Sequence, residues 1–381
     1  MSEPRSPCVS RRLIGTVTAP TPGPTLIAIG SLHGNEPAGV DALQRVFARI
    51  SGHPNLLSSG SFTALVGNMA ALSAQRRFMD RDLNRNWNGQ RGISHAREPG
   101  STTEDLEHSE LLGFIEQEIG QARDGVYVLD LHTTSGDSVP FTVFADTLAS
   151  RGFARRLPNP IILGLEEHLE GTMVDYLSGR GHAAAAVEGG QHQDPASIDR
   201  LEAIMWIALD VLGIATDQPS ITRGRRALSR VTRRIPHALE IRAAHKIVAG
   251  DRFRMHPGFR GFDRVRGGEI LAADASGEIH APTDGFLLMP LYQELGDDGF
   301  FIVKPVWRVW LLLSRILRTL RADRIVHWLP GVSRHGSERG VYWVNRRIAR
   351  YFALEVLHLL GFKKVRDGDE LVVRRRMTDQ A

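Results

Sequence analysis

The chain has 381 residues, 42% hydrophobic and 24% charged, an ordinary globular composition long enough for two domains and a tail. A single cysteine, Cys8, excludes an internal disulfide framework and fits a reducing compartment. The N-terminus lacks the apolar core of a signal peptide and no apolar run approaches the roughly 20 residues that span a bilayer, so a cytoplasmic chain without transmembrane segments is expected. The net charge of +4 is unevenly spread: residues 305–381 carry 16 Lys and Arg against 7 Asp and Glu, and the remainder 31 against 36. Basicity therefore belongs to the C-terminal part, where arginines on solvated helix faces are expected in preference to nucleic-acid or acidic-lipid binding, and no nucleic-acid partner is expected.

Up to about residue 220, short apolar runs alternate with helical patterns. Thr25–Gly30 is predicted as a strand that runs into His33-Gly-Asn-Glu36. Asn35 is expected to cap the next helix, with Pro37 in its first turn; Val40, Leu43, Phe47 and Ile50 then share one face. Strand Phe62–Gly67 precedes Asn68 and the charged stretch Arg77 to Arg85. A helix over Thr103–Ile119 leads to strand Val126–Leu131, which delivers Asp130 and His132. Strands Phe141–Ala145 and Ala183–Val187 follow, the second ending on Glu188, and Leu201–Leu212 is a further helix. This order predicts an α/β sheet with parallel neighbours, a class that gathers ligands at the carboxyl ends of its strands.

The Arg-rich residues 223–234 read as a linker or the start of a new module. From His237 to Val303 short strands alternate with turns at Gly267-Gly268, Asp274–Gly277, Pro282–Gly285 and Gly296–Gly299, which predicts a small all-β barrel or flattened sandwich. The expected units are thus 1–222, 223–304 and 305–381. In the last, Val306–Leu320 and Asn345–Leu360 are expected as amphipathic helices and Leu371–Val373 as a short strand. Trp307, Trp310 and Trp328 beside arginines would suit an interfacial membrane helix. Packing on the chain itself, or on a second copy in a homo-oligomer, is the preferred expectation.

Four stretches carry chemical potential. His33, Glu36 and His132 offer two imidazoles and a carboxylate, the donor set of a catalytic zinc with an open fourth position; equally, each reads alone as a loop or core histidine or a helix-start carboxylate. Arg77, Asn84 and Arg85 suit a polarised carbonyl or a substrate carboxylate, or a solvated charged loop. Glu188 closes an apolar Ala-Ala-Ala-Ala-Val run, where burying a carboxylate is costly, so it reads as a general base or as a strand-end group held by backbone N–H groups. Asp130 reads as a partner behind His132 or a capping residue, and His192 as a wall residue.

In this order the stretches resemble the aspartoacylase/succinylglutamate desuccinylase family, a branch of the zinc carboxypeptidase superfamily. The likeness rests on His33–Glu36, Gly67-Asn68-Met-Ala-Ala71, Arg77 to Arg85, Asp130–Thr133 and Glu188. It continues through Phe262, Gly268-Glu269, Ala281-Pro282, Asp284-Gly285 and Gly299-Phe300-Phe301, so that it spans about residues 25–303. It implies an α/β fold with a zinc-carboxypeptidase-like mixed sheet flanked by helices, a small barrel-sandwich-like all-β domain and, outside the likeness, a helical C-terminal tail. It implies one zinc per chain on His33, Glu36 and His132, Glu188 as catalytic glutamate, Arg77 on the scissile carbonyl, and Asn84 and Arg85 on a substrate carboxylate. The implied activity is hydrolysis of a small N-acyl amino acid or related amine; the alternative is a metallocarboxypeptidase or ester hydrolase using the same site. No equivalent is found of the tyrosine and second arginine with which aspartoacylase-like members select acidic substrates, which leaves the acyl group and the amine half open.

Overall fold

The computed structural model describes residues 11–87, 101–248, 250–293, 295–334, 340–345, 357–366 and 371–376. Its main sheet begins with β1 (Leu13–Thr18), β2 (Thr25–Gly30), β3 (Ser61–Val66) and β4 (Val126–Thr134). It continues with β5 (Phe141–Val143), β6 (Ile161–Leu163), β7 (Ala183–Gln191) and β8 (Ala238–Lys246). The spatial order is β1-β3-β2-β4-β7-β5-β6-β8, and the β3-β2-β4-β7 pairs are parallel as expected.

All six residues of β2 are buried because helices cover both faces of the sheet. Leu26 and Ala28 point into a core shared with α1 (Ala38–Gly52) and α6 (Ala196–Val211), while Ile27 and Ile29 point into another shared with α3 (Thr103–Gln121) and α5 (Met173–Gly179). The two-residue period of the strand divides one apolar run between two cores. Gly39 lets α1 seat on the strand ends: a Cβ there would lie 2.9 Å from the Leu131 carbonyl oxygen and 3.1 Å from the Gly30 Cα.

Two local expectations fail. Asn35 does not cap α1; the helix starts after Pro37 with no side-chain cap, and Asn35 Nδ2 instead donates to Gln293 Oε1 at 3.3 Å. The Arg-rich stretch expected as a linker or the start of a new module lies mostly within α7 (Gln218–Thr232), whose Ile221 and Leu228 join the α1/α6 core. Its arginines occupy the opposite face of an amphipathic helix, so charge alone gave a misleading signal.

The segment of short strands comprises β9 (Arg254–Met255), β10 (Arg264–Val265), β11 (Ile270–Asp274), β12 (Gly277–His280), β13 (Gly285–Leu288) and β14 (Asp298–Pro305). Strands β8-β14-β13-β10 extend the main sheet, to which β6 joins them through a parallel pair with β8, and β12-β11-β9 form a second sheet. Leu271 and Ala272 from one and Leu287 and Ile302 from the other share a core.

After residue 305 the chain forms α8 (Arg308–Thr319), close to the expected span. It also forms a four-stranded antiparallel sheet that the apolar pattern announced only at Leu371: β15 (Val332–Arg334), β16 (Val341–Val344), β17 (Phe362–Arg366) and β18 (Leu371–Arg375). Most of the helix expected over Asn345–Leu360 lies outside the described residues; Leu357–Leu359 is helical.

Not all of the tail's arginines are solvated, contrary to expectation. Arg318 and Arg376 are buried, and with Arg151 they surround buried Asp146, which accepts from Arg151 Nε at 2.6 Å and from Arg318 Nη2 at 3.1 Å and lies 3.9 Å from Arg376 Nη1. Burial opposes the charge of Asp146, but the three guanidinium groups outweigh it and hold the carboxyl well below its usual range. The tail is thereby docked through buried charge. In its helix Leu311, Ser314 and Arg318 point inward, while Trp307, Val309, Trp310 and Leu312 are exposed together with Arg308 and Arg315.

Candidate metal centre and active site

Strand register brings the chemistry together. In the parallel β4/β7 pair His132 stands opposite Glu188, and in β2/β4 Asp130 stands opposite Ile29. Alternation puts Asp130, His132 and Glu188 on the face that also carries Val128, Ala184 and Ala186, so the imidazole and the two carboxylates share one side of the sheet end.

The His33–Glu36 turn arrives from β2. Ser31 takes the left-handed conformation (φ 58°), and its Oγ donates to the Glu36 carbonyl at 2.9 Å, holding the turn closed. Gly34 is required here: a Cβ would lie 2.0 Å from the carbonyl carbon of Ala71 in α2 (Met69–Ser73). His33, Glu36 and His132 are all buried, and one ligand atom from each lies within 4.8 Å of the others.

Both imidazoles are oriented alike. His33 Nδ1 faces Glu36 Oε1 at 3.0 Å and its Nε2 faces Asp82 Oδ1 at 3.1 Å. His132 Nδ1 faces Glu36 Oε2 at 3.1 Å and its Nε2 faces Asp130 Oδ2 at 2.7 Å. With an aspartate facing Nε2 of each ring, a cation among His33, Glu36 and His132 would meet the Nδ1 side of both. Two nitrogens and a carboxylate suit zinc, so the donor set fits the implied metal. The Thr133 N–H adds a 2.9 Å bond to Glu36 Oε2. Burial opposes the charge on Glu36, but His33 and His132 outweigh it and hold the carboxyl well below its usual range. Burial likewise opposes a charged His132, and Asp130 and Glu36 reverse that.

Glu188 lacks such compensation. It is buried, its Oε2 has no hydrogen-bond partner, and burial raises its pKa to about 8 despite the nearby His132. A carboxyl poised this way is suited to take and return a proton near neutrality.

Arg77 Nη2 donates to Asp82 Oδ2 at 3.0 Å, with Nη1 3.7 Å from Glu36 Oε1. Asn84 accepts the Met173 N–H at 3.0 Å through Oδ1, which ties the loop to the start of α5 and leaves Nδ2 for other contacts. Arg85 donates to the Asn84 carbonyl and stands 3.8 Å from Asp298 Oδ2, a loose pairing. All three line one cavity of about 510 Å³ with His33, Glu36, His132 and Glu188. His192 is on its wall, with Nδ1 2.7 Å from Thr133 Oγ1.

Several lining residues were not foreseen. Asp82 lies within the Arg77–Arg85 motif, and the need for an acid between Arg77 and a ligand histidine would have singled it out. Leu291, Gln293 and Asp298 come from the β segment, and no local pattern announced them. Glu166 and Asp175 also border the cavity, paired with Arg376 and Lys363 of the tail.

Residues 22–151 match the profile described as the succinylglutamate desuccinylase/aspartoacylase catalytic domain. No curated protein matches the chain. Among solved structures, a succinylglutamate desuccinylase/aspartoacylase from Rhodobacter sphaeroides is 20% identical with a TM-score of 0.54, covering 75% of this chain and 87% of that one. An aspartoacylase family protein from Mesorhizobium loti is 18% identical at TM-score 0.54, over 77% and 88%. The ectoine utilization protein EutE (DoeB) from Ruegeria pomeroyi is 17% identical at TM-score 0.54, over 76% and 87%. At these identities the structural likeness establishes a fold, a mixed α/β sheet flanked by helices with smaller antiparallel sheets. Residues 22–151 are thus similar in motif order and profile to the succinylglutamate desuccinylase/aspartoacylase catalytic domain, and the chain shares the fold of the solved structures named above.

Proposed function

We propose that this chain is a zinc-dependent hydrolase that cleaves the amide bond of an N-acyl amino acid, or of a related small N-acyl amine bearing a carboxylate. The observation that carries the reading is the paired orientation of His33 and His132, each with Nε2 on an aspartate and Nδ1 turned toward Glu36, beside an unpartnered buried Glu188. His33, Glu36 and His132 would hold a zinc ion, which when bound would supply Lewis acidity to a water and to an acyl carbonyl.

The chain's own groups do the rest. Glu188, through its free Oε2, takes the proton of the attacking water and returns it to the departing amine nitrogen. Arg77 offers a guanidinium, held in place by Asp82, to the oxyanion formed at the former carbonyl. Arg85 and the Nδ2 of Asn84 hold the substrate carboxylate, with Asp298 as the placeholder that the carboxylate displaces. Apolar residues on the cavity wall, among them Val143, Leu165 and Val174, exclude water from the acyl group. The working division is a hydrolase unit to residue 222, a β unit over 223–304 that contributes to the cavity wall, and a tail from 305; the first boundary falls inside α7.

A panel of purified-enzyme assays tests the reading: amine release from N-acetyl and N-succinyl amino acids, C-terminal residue release from peptides, and ester hydrolysis. Amine release from the N-acyl amino acids is expected to dominate. Dominant C-terminal release would instead assign a metallocarboxypeptidase, and dominant ester cleavage an esterase.

A further inference from the structure

Helix α8 buries Leu311, Ser314 and Arg318 and leaves most of its remaining apolar side chains outside. Ser314 Oγ donates to the Leu359 carbonyl at 2.9 Å, and Arg318 Nη1 donates to the Asp146 carbonyl at 2.8 Å. The outward side and the turn after it expose Trp307 (75%), Trp310, Leu312, Leu320 (72%) and Trp328 (76%). Arg308 and Arg315 are exposed on the same helix, and Val306 to Ala322 contains no Asp or Glu. Exposed Arg155, which closes α4 (Leu148–Ala154), is close by: burial first, and then Arg308 and Arg155, lower the pKa of His237 below its usual value.

An exposed apolar patch of this size calls for an occupant. A second copy fits poorly: a two-fold contact through α8 would bring Arg308 and Arg315 of one chain against those of the other, with no acid on the helix to meet them. An anionic bilayer surface meets both features. Its headgroups pair with the arginines, its acyl boundary takes the leucines, and tryptophan suits the region between. No helix among the described residues is long and apolar enough to cross a membrane, and an interfacial helix need not be.

We propose that α8 and the following turn dock this protein on anionic phospholipid surfaces, with Trp307, Trp310, Leu312 and Leu320 inserted and Arg308 and Arg315 at the headgroups. The test uses the full-length protein, sedimented with phosphatidylcholine vesicles with or without phosphatidylglycerol. Sedimentation with the anionic vesicles that weakens as salt is raised is expected. Neutralising arginines in the double variant R308Q/R315Q should weaken it about fivefold per arginine. The double variant W307S/L320S should lose it, and because both side chains are exposed, its thermal unfolding should match that of the unaltered protein.

Tryptophan quenching by bromine-labelled lipid in the unaltered protein gives a second readout that depends on no variant, and quenching is expected. Equal binding to neutral and anionic vesicles, or no sedimentation and no quenching, would overturn the proposal. So would concentration-dependent dimerisation that W307S/L320S abolishes in a protein that ignores vesicles, which would assign the face to a second copy.

Discussion

Replacing Glu188 with Gln removes a charge and little else, and the site predicts two opposite consequences. In catalysis the loss of the proton carrier should cost on the order of 100- to 10,000-fold in kcat, with the ligands of the metal untouched. In stability the substitution should help. Burial raises the pKa of Glu188 from its ordinary value of 4.5 to about 8, so the folded protein keeps a proton that the unfolded chain has released between those values. Stability of the parent protein therefore falls as pH rises through that window, by up to about 1.4 kcal/mol for each unit of pKa difference. A neutral Gln is free of this cost. The variant's advantage should be about 1 kcal/mol near pH 5, about 3 near pH 7 and about 5 near pH 9. Urea unfolding of chelator-treated protein across this range measures it, chelation being needed because a cation beside Glu188 would offset the burial. An advantage that stays flat with pH, or a parent protein that gains stability as pH rises, would refute the reasoning.

Three further substitutions probe the surroundings. Asp82→Asn removes the charge behind His33 Nε2 and should weaken zinc affinity about 10- to 100-fold in a chelator competition; unchanged affinity would deny Asp82 that orienting role. Arg85→Ala should raise KM for a carboxylate-bearing substrate roughly 10- to 100-fold with a smaller effect on kcat, as expected for a lost charged hydrogen bond. A fall in kcat alone would move Arg85 from anchoring to chemistry. Asp146→Ala removes the buried carboxylate that Arg151 and Arg318 share and that lies 3.9 Å from Arg376, which keeps its pair with Glu166, and should destabilise the chain by about 3–5 kcal/mol in urea unfolding; a change under about 1 kcal/mol would show that the cluster is hydrated.

The sheet and its sequence of chemical groups were legible because both follow from local patterns. The Leu26–Ile29 run is apolar on both faces because two cores cover it, and Glu188 stands out because a carboxylate ends a run of alanines. Contacts that depend on distant chain segments were not legible. Asp82 meets His33 only because the 77–85 loop returns across the strand ends, and Asp298 reaches Arg85 only through the register of β14 on β8. Helix α8 illustrates a different limit. Periodicity revealed two unlike faces on Val306–Leu320, yet it carries no information on which face meets the protein. Leu311 in the main core and Arg318, which meets Asp146 172 residues away in sequence, mark the inward face.

The claim on which the rest depends is that His33, Glu36 and His132 hold a catalytic zinc. Zinc content should be measured beside amine release from an N-acyl amino acid, on the purified protein, after chelation and after stepwise return of zinc. One zinc per chain, activity rising in proportion to the zinc returned, and no zinc retained by Glu36→Ala are the expected results. Full amine release from protein stripped of metal, or undiminished zinc in Glu36→Ala, would contradict it.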